Sequence, residues 1–109
     1  MLLSTIEIMI QGSNTVEELQ ECETLIKEKK RALRKMLFSM AEKSVAQPFL
    51  KDSTVEEAML NILAQPEDFK HKFAKELSDS EKVETLLEEA EVLLNKTHDK
   101  MRTIIWAKD

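Results

Sequence analysis

The sequence predicts an all-α protein, an elongated antiparallel hairpin or coiled coil of two long helices with two short helices between them. Glycine occurs once and proline twice in 109 residues, whereas sheet-rich folds need many turns that these residues supply. Leu, Glu, Lys, Ala and Met are abundant, and they favour helices. Apolar residues recur every three or four positions over two long stretches, which is the period of one helix face.

Three Ser or Thr residues are each followed three positions later by glutamate, the pattern of a capping box at a helix start. The pairs are Thr15 with Glu18, Thr54 with Glu57, and Ser78 with Glu81. Each pair directly precedes an amphipathic run. We therefore expect a long helix over 16–46, two short helices over 54–78 and a second long helix over 80–107, all within one domain of residues 1–109.

The first ten residues fit two structures. Ile6, Ile8 and Ile10 alternate as in a strand, while Leu2 or Leu3 with Ile6 and Ile10 follow a helical period. No other strand is predicted that could pair with this one. A short helix is therefore favoured.

The first long helix carries an apolar stripe with spacings of mostly three and four, typical of a helix that packs against another. The stripe consists of Leu19, Cys22, Ile26, Leu33, Met36 and Met40. The helix is expected to end at about Ala46, before Gln47 and Pro48, because a residue before proline is pushed out of the helical region. A linker is predicted from Gln47 to Ser53.

The spacing of apolar residues also predicts the remaining helices. The first short helix has the face Val55, Ala58, Met59, Ile62 and Leu63. Pro66 is expected in the first turn of the second short helix, where its missing N–H costs nothing. The last helix alternates steps of four and three residues without a break through Val83, Leu87, Ala90, Leu94, Thr97, Met101 and Ile104.

Both long helices begin acidic and end basic. The first changes sign between Glu23 and Lys27, and the last between Glu91 and Lys96, with Lys108 near its end. Antiparallel pairing therefore places acidic halves beside basic halves, and several such pairs together can select the orientation. A two-helix hairpin still leaves an apolar side exposed. We expect a second copy or a partner to cover it, and a dimer is favoured.

The sequence predicts no enzyme activity, cofactor or metal. Phosphate-binding loops and nucleophile elbows need glycines in patterned positions, and Gly12 is the one glycine of the chain. Cys22 lies on the apolar stripe, so a buried thiol is favoured over a reactive one. His71 follows two carboxylates at helical spacing, but no matching set surrounds His98.

Charge and hydropathy indicate the compartment. The net charge of −5 argues against a general binder of nucleic acid or of membrane surfaces, since both are polyanions. No apolar run approaches the roughly 20 residues that span a bilayer. A lone cysteine fits a reducing compartment. We expect a cytoplasmic protein, or a nuclear one in a eukaryote.

Two sets of residues are candidates for contact with a macromolecule. The assembly or partner set is Leu33, Met36, Met40, Leu87, Leu94, Met101 and Trp106. Trp106 either closes the last helical turn or anchors a partner. The basic set is Lys27, Lys30, Arg31, Arg34 and Lys35. We therefore expect a protein-interaction and oligomerisation module, with a small helical regulator that contacts nucleic acid through the basic set as the alternative.

Overall fold

A computed structural model describes residues 1–51 and 53–107. Within them lie five helices and no strand, which confirms the all-α prediction. The helices are α1 (Leu3–Gly12), α2 (Val16–Glu42), α3 (Gln47–Leu50), α4 (Val55–Leu63) and α5 (Glu67–Ala107). Asp52 of the predicted linker and Lys108 of the predicted basic helix end lie outside the described residues.

The chain divides into two compact units. The described part of the first unit consists of residues 1–34 and 85–107, and the second unit is Lys35–Glu84. The long helices α2 and α5 contribute residues to both. The single domain expected from the sequence stays a prediction.

The core of the first unit is formed by three helices. Its buried side chains are Leu3, Ile6 and Ile10 of α1, Leu19, Cys22 and Ile26 of α2, and Ala90, Leu93 and Leu94 of α5. Each fully buried Ile or Leu contributes about 1.5–3 kcal/mol. Residues Leu3–Gly12 are thus helical, so the N-terminal segment forms the favoured short helix. They cover apolar surface of the α2–α5 pair that the sequence assigned to a second copy or a partner.

Charged contacts show the direction of each helix in the first unit. Glu23 of α2 meets His98 of α5 at 2.7 Å, and Lys30, further along α2, pairs with Glu91, earlier in α5. These two helices are therefore antiparallel, as their charge order predicts.

A lysine of α5 binds the carboxyl end of the first helix. The Lys100 ammonium donates hydrogen bonds to the carbonyl oxygens of Ile10, at 2.7 Å, and Gln11, at 3.1 Å. The last carbonyls of a helix lack partners within it and carry a partial negative charge, so a cation stabilises them. Because Glu7 also pairs with Lys96 at 3.4 Å, α1 runs parallel to α5.

At two of the predicted capping boxes the hydroxyl caps the helix start. The Thr15 hydroxyl accepts a hydrogen bond from the Glu18 backbone N–H at 3.2 Å and donates one to the Glu18 carboxylate at 3.1 Å. Thr54 accepts from the Glu57 N–H at 3.2 Å and is the N-cap of α4. Each hydroxyl satisfies a backbone donor that has no partner in its own helix.

The first long helix ends four residues earlier than predicted, at Glu42. The turn that follows is held by Glu76 of α5, whose carboxylate accepts hydrogen bonds from the Ser44 hydroxyl at 2.7 Å and the Val45 N–H at 3.1 Å. The predicted linker contains the short helix α3, with Pro48 in its first turn. Phe49 of α3 packs edge-on against Phe69 of α5, with 5.4 Å between ring centroids.

The predicted break before the last helix is wrong. Residues 67–107 form one helix, so Ser78 and Glu81 lie in its interior and cap no helix start. The predicted second short helix, from about Pro66 to Leu77, is the beginning of α5. Glu67 and Asp68 lie in its first turn, where negative charge is favourable.

Replacing Ile6 should show whether α1 is part of the core. Ile6 is 0% exposed and Ile8, on the same helix, is 68% exposed. Ile6→Ala is expected to lower the free energy of unfolding by about 2–5 kcal/mol, since it leaves a cavity. Urea titrations followed by circular dichroism should show Ile8→Ala close to the parent protein. Equal stability of the two variants would contradict this packing.

Proline at position 79 should separate a continuous α5 from a helix that starts after Ser78. In a continuous helix, Asp79→Pro removes an interior hydrogen bond and is expected to cost about 3 kcal/mol or more. At the first position of a helix it would be tolerated. The same urea titration applies, with Asp79→Ala as control. A proline variant as stable as the alanine variant would restore the predicted break.

Candidate functional site

The helix α4 buries little of its apolar surface. Ala58 and Ile62 are buried, whereas Val55, Met59 and Leu63 are exposed. These three lie four residues apart, so they form one line along the helix. Leu60 is exposed as well. Exposed apolar side chains that lie side by side are a feature of interaction surfaces, so this line is a candidate site.

Met59, the middle residue of the exposed line of α4, lines an open groove of about 370 Å³ in the second unit. Helices α2, α3, α4 and α5 all contribute to its walls. The lining residues are Leu37, Met40, Ala41, Ser44, Ala46, Leu50, Met59, Ile62, Phe73, Leu77, Ser80 and Glu84. Apolar side chains dominate this lining, and Leu50, Met59 and Leu77 in particular are about half exposed. The groove is therefore suited to binding apolar side chains.

Glu76 stabilises one wall of the groove although it does not line it. Its carboxylate orders the turn at Ser44 and Val45, and the Ser44 hydroxyl also accepts the Ala46 N–H at 3.1 Å. Ala46 is buried and lines the groove. No pattern in the sequence marks Glu76, because it acts on residues about thirty positions earlier in the chain.

The predicted assembly residues have different surroundings. Leu33 and Leu94 are buried within the chain, and Leu87 is half-buried. Met101 packs against the core of the first unit. In contrast, Met40 lines the groove of the second unit, and Met36 and Trp106 are exposed. Trp106 is 72% exposed, so it does not close the core.

The predicted basic set is partly engaged in ion pairs. Lys27 pairs with Glu23 at 3.0 Å, and Lys30 pairs with Glu91. The remaining members, Arg31, Arg34 and Lys35, are exposed. Lys35 is the first residue of the second unit, while the other four belong to the first. Two of the five cations thus already have carboxylate partners.

These ion pairs shift two carboxyl groups. Hydrogen bonds from Lys27 and then from His98 lower the pKa of Glu23 below its ordinary value of 4.5. The hydrogen bond and the charge of Lys30 lower the pKa of Glu91. Both shifts favour the ionised form of the carboxyl group. This is the form that pairs with a lysine, Lys27 of the same helix for Glu23 and Lys30 of the neighbouring helix for Glu91.

The pKa shift of Glu23 predicts how stability depends on pH. Its pKa is lower in the folded state, so ionisation stabilises the fold above pH 4.5, and this contribution is lost as the pH falls through the folded-state pKa. Glu23→Gln should therefore flatten the acid limb of a plot of unfolding free energy against pH. Glu21→Gln, at an exposed position of α2, serves as control. Superimposable acid limbs for parent and Glu23→Gln would contradict the prediction.

Metal centres and membrane-spanning helices are two further kinds of site that a helical chain can form. Residues 1–51 and 53–107 contain no group of three or more His, Cys, Asp or Glu side chains placed to hold a metal ion. No described helix is long and apolar enough to cross a membrane. Cys22 is buried in the first unit, with its sulfur 3.8 Å from the Ser13 hydroxyl.

Comparison of the chain with protein-family models, with curated proteins and with solved structures finds no match.

Proposed function

We propose that this protein is a non-enzymatic interaction module that binds a protein partner through the apolar groove of its second unit. The observation that carries the proposal is the line of exposed side chains on α4, at Val55, Met59 and Leu63, beside an open apolar groove. Burying such side chains against a partner removes them from water, at about 25 cal/mol for each Å².

The groove suits an amphipathic helix of the partner. Helix-in-groove recognition uses apolar anchors spaced three and four residues apart, which insert between the walls of an apolar cleft. Met40 and Met59 lie in the lining. Methionine is flexible and polarisable, so it adapts to the shape of an inserted side chain.

The chemistry of the groove favours binding over catalysis. Its polar lining residues are Ser44, Ser80 and Glu84. The Ser44 hydroxyl already donates to Glu76, so its role is to hold the turn. The Glu76 carboxylate accepts a second hydrogen bond from the Val45 N–H, so it is engaged in ordering the turn, and the rest of the lining is mostly apolar.

Contact with nucleic acid, the alternative function, has weaker support. A phosphate-binding surface needs several unpaired cations on one side. Lys27 and Lys30 already form ion pairs with carboxylates.

Groove variants should lose a specific partner. Met59→Asp and Leu77→Asp place a charge at lining residues that are 46% and 49% exposed. We expect each to lose at least tenfold in recovery of a bound protein, about 1.4 kcal/mol, because a charge is desolvated when apolar side chains cover it. Recovery is measured by quantitative mass spectrometry after affinity capture from the cells that make the protein.

The matched control is Ile8→Asp, which adds the same charge at an exposed apolar residue of the other unit. Circular dichroism establishes that all three variants are folded. A photo-crosslinker in place of Leu50, which lines the groove, should label the same protein that the groove variants lose. Identical capture by the parent protein and both groove variants would refute the proposal.

A further inference from the structure

A second open groove, of about 520 Å³, lies between α1 and α5 in the first unit. Its apolar residues are Leu3, Val92 and Leu93. Val92 is about half exposed, so apolar surface on α5 remains uncovered. This groove belongs to a different unit from the proposed partner site.

Carboxylates predominate among the charged residues of this groove. Glu7, Glu88 and Glu89 line it together with one cation, Lys96. Lys96 pairs with Glu7 at 3.4 Å. Among the described residues Glu88 and Glu89 form no ion pair, and both are exposed. The groove therefore carries excess negative charge beside an apolar surface.

The complementary surface is present on α2 of the same chain. Arg31 and Arg34 are exposed on α2, and within residues 1–51 and 53–107 neither side chain forms a hydrogen bond or an ion pair. They are three residues apart, so they lie on one face of α2. The charge of Arg34 acts on Glu91 of α5 in the same copy, but that carboxylate already pairs with Lys30. Among the described residues neither arginine pairs with Glu88 or Glu89, so the cationic face and the acidic groove of one copy do not neutralise each other.

We propose that the Arg31–Arg34 face of α2 docks into the α1–α5 groove of a second copy of this chain. An arginine is suited to this groove because its aliphatic stem packs on apolar surface while its guanidinium reaches the carboxylates at the edge. The planar guanidinium can also bind a carboxylate through two hydrogen bonds.

The contact can be made twice between two copies. Each copy carries both the cationic face and the acidic groove, so a twofold axis would place each face in the other copy's groove. Because each exposed ion pair contributes little binding free energy, making the contact twice compensates for that small contribution. This proposal does not depend on the partner-binding groove of the second unit.

Charge reversal provides the test. Sedimentation velocity of the full chain over a range of concentrations should show association that weakens at least tenfold between about 0.05 M and about 0.5 M NaCl, because salt screens exposed pairs. Glu88→Lys with Glu89→Lys, and separately Arg31→Glu with Arg34→Glu, should each abolish it. An equimolar mixture of these two charge-reversed proteins should associate again, since both contacts then regain opposite charges.

Circular dichroism confirms that the variants are folded. A milder series is provided by the neutral substitutions Glu89→Gln and Arg34→Gln, which should weaken association only partly. The groove variants Met59→Asp and Leu77→Asp should associate like the parent protein. The proposal is overturned by a parent protein that is monomeric at every concentration and salt level, by association that ignores both charge reversals, or by reversed proteins that fail to associate when mixed.

Discussion

The first unit depends on the burial of α1 against the α2–α5 pair. Ile6 is completely buried among side chains of all three helices, and its contribution of about 1.5–3 kcal/mol exceeds the 0.2–1 kcal/mol of an exposed ion pair. The pairs of Glu7 with Lys96 and Glu23 with His98 therefore select the direction and register of the helices. The apolar contact supplies most of the stability.

Much of the fold could be predicted because its signals are local. Thr15 and Thr54 cap helices because a hydroxyl three residues before a backbone N–H can reach it whatever lies elsewhere in the chain. The same locality explains the error at Ser78, since a capping box does not show whether the preceding residues are themselves helical. The apolar spacing from Phe69 and Phe73 to Val83 was the better signal, because it continues through Ser78 in one helical period.

The candidate site could be predicted only in part, because periodicity identifies an apolar face without showing what covers it. Met59 and Ile62 belong to the same predicted face of α4, yet Ile62 is buried and Met59 is 46% exposed. Helix α3 contacts α4, and contacts of this kind, between separate elements, decide which residues of an apolar face are covered. The role of Glu76 and the ion pair between Lys30 and Glu91, 61 residues apart, likewise depend on contacts distant in sequence. No local pattern encodes them.

The two grooves differ in the force that would drive binding. The groove of the second unit has a mostly apolar lining, so its occupant would be held by burial, which salt strengthens or leaves unchanged. The groove of the first unit is lined by Glu7, Glu88 and Glu89, so its occupant would be attracted by charge, which salt weakens. Electrostatic contacts govern the rate and orientation of association more than its strength, while buried apolar anchors supply affinity. Self-association would therefore be more sensitive to ionic strength than partner binding, and added salt would dissociate the two copies without releasing the partner.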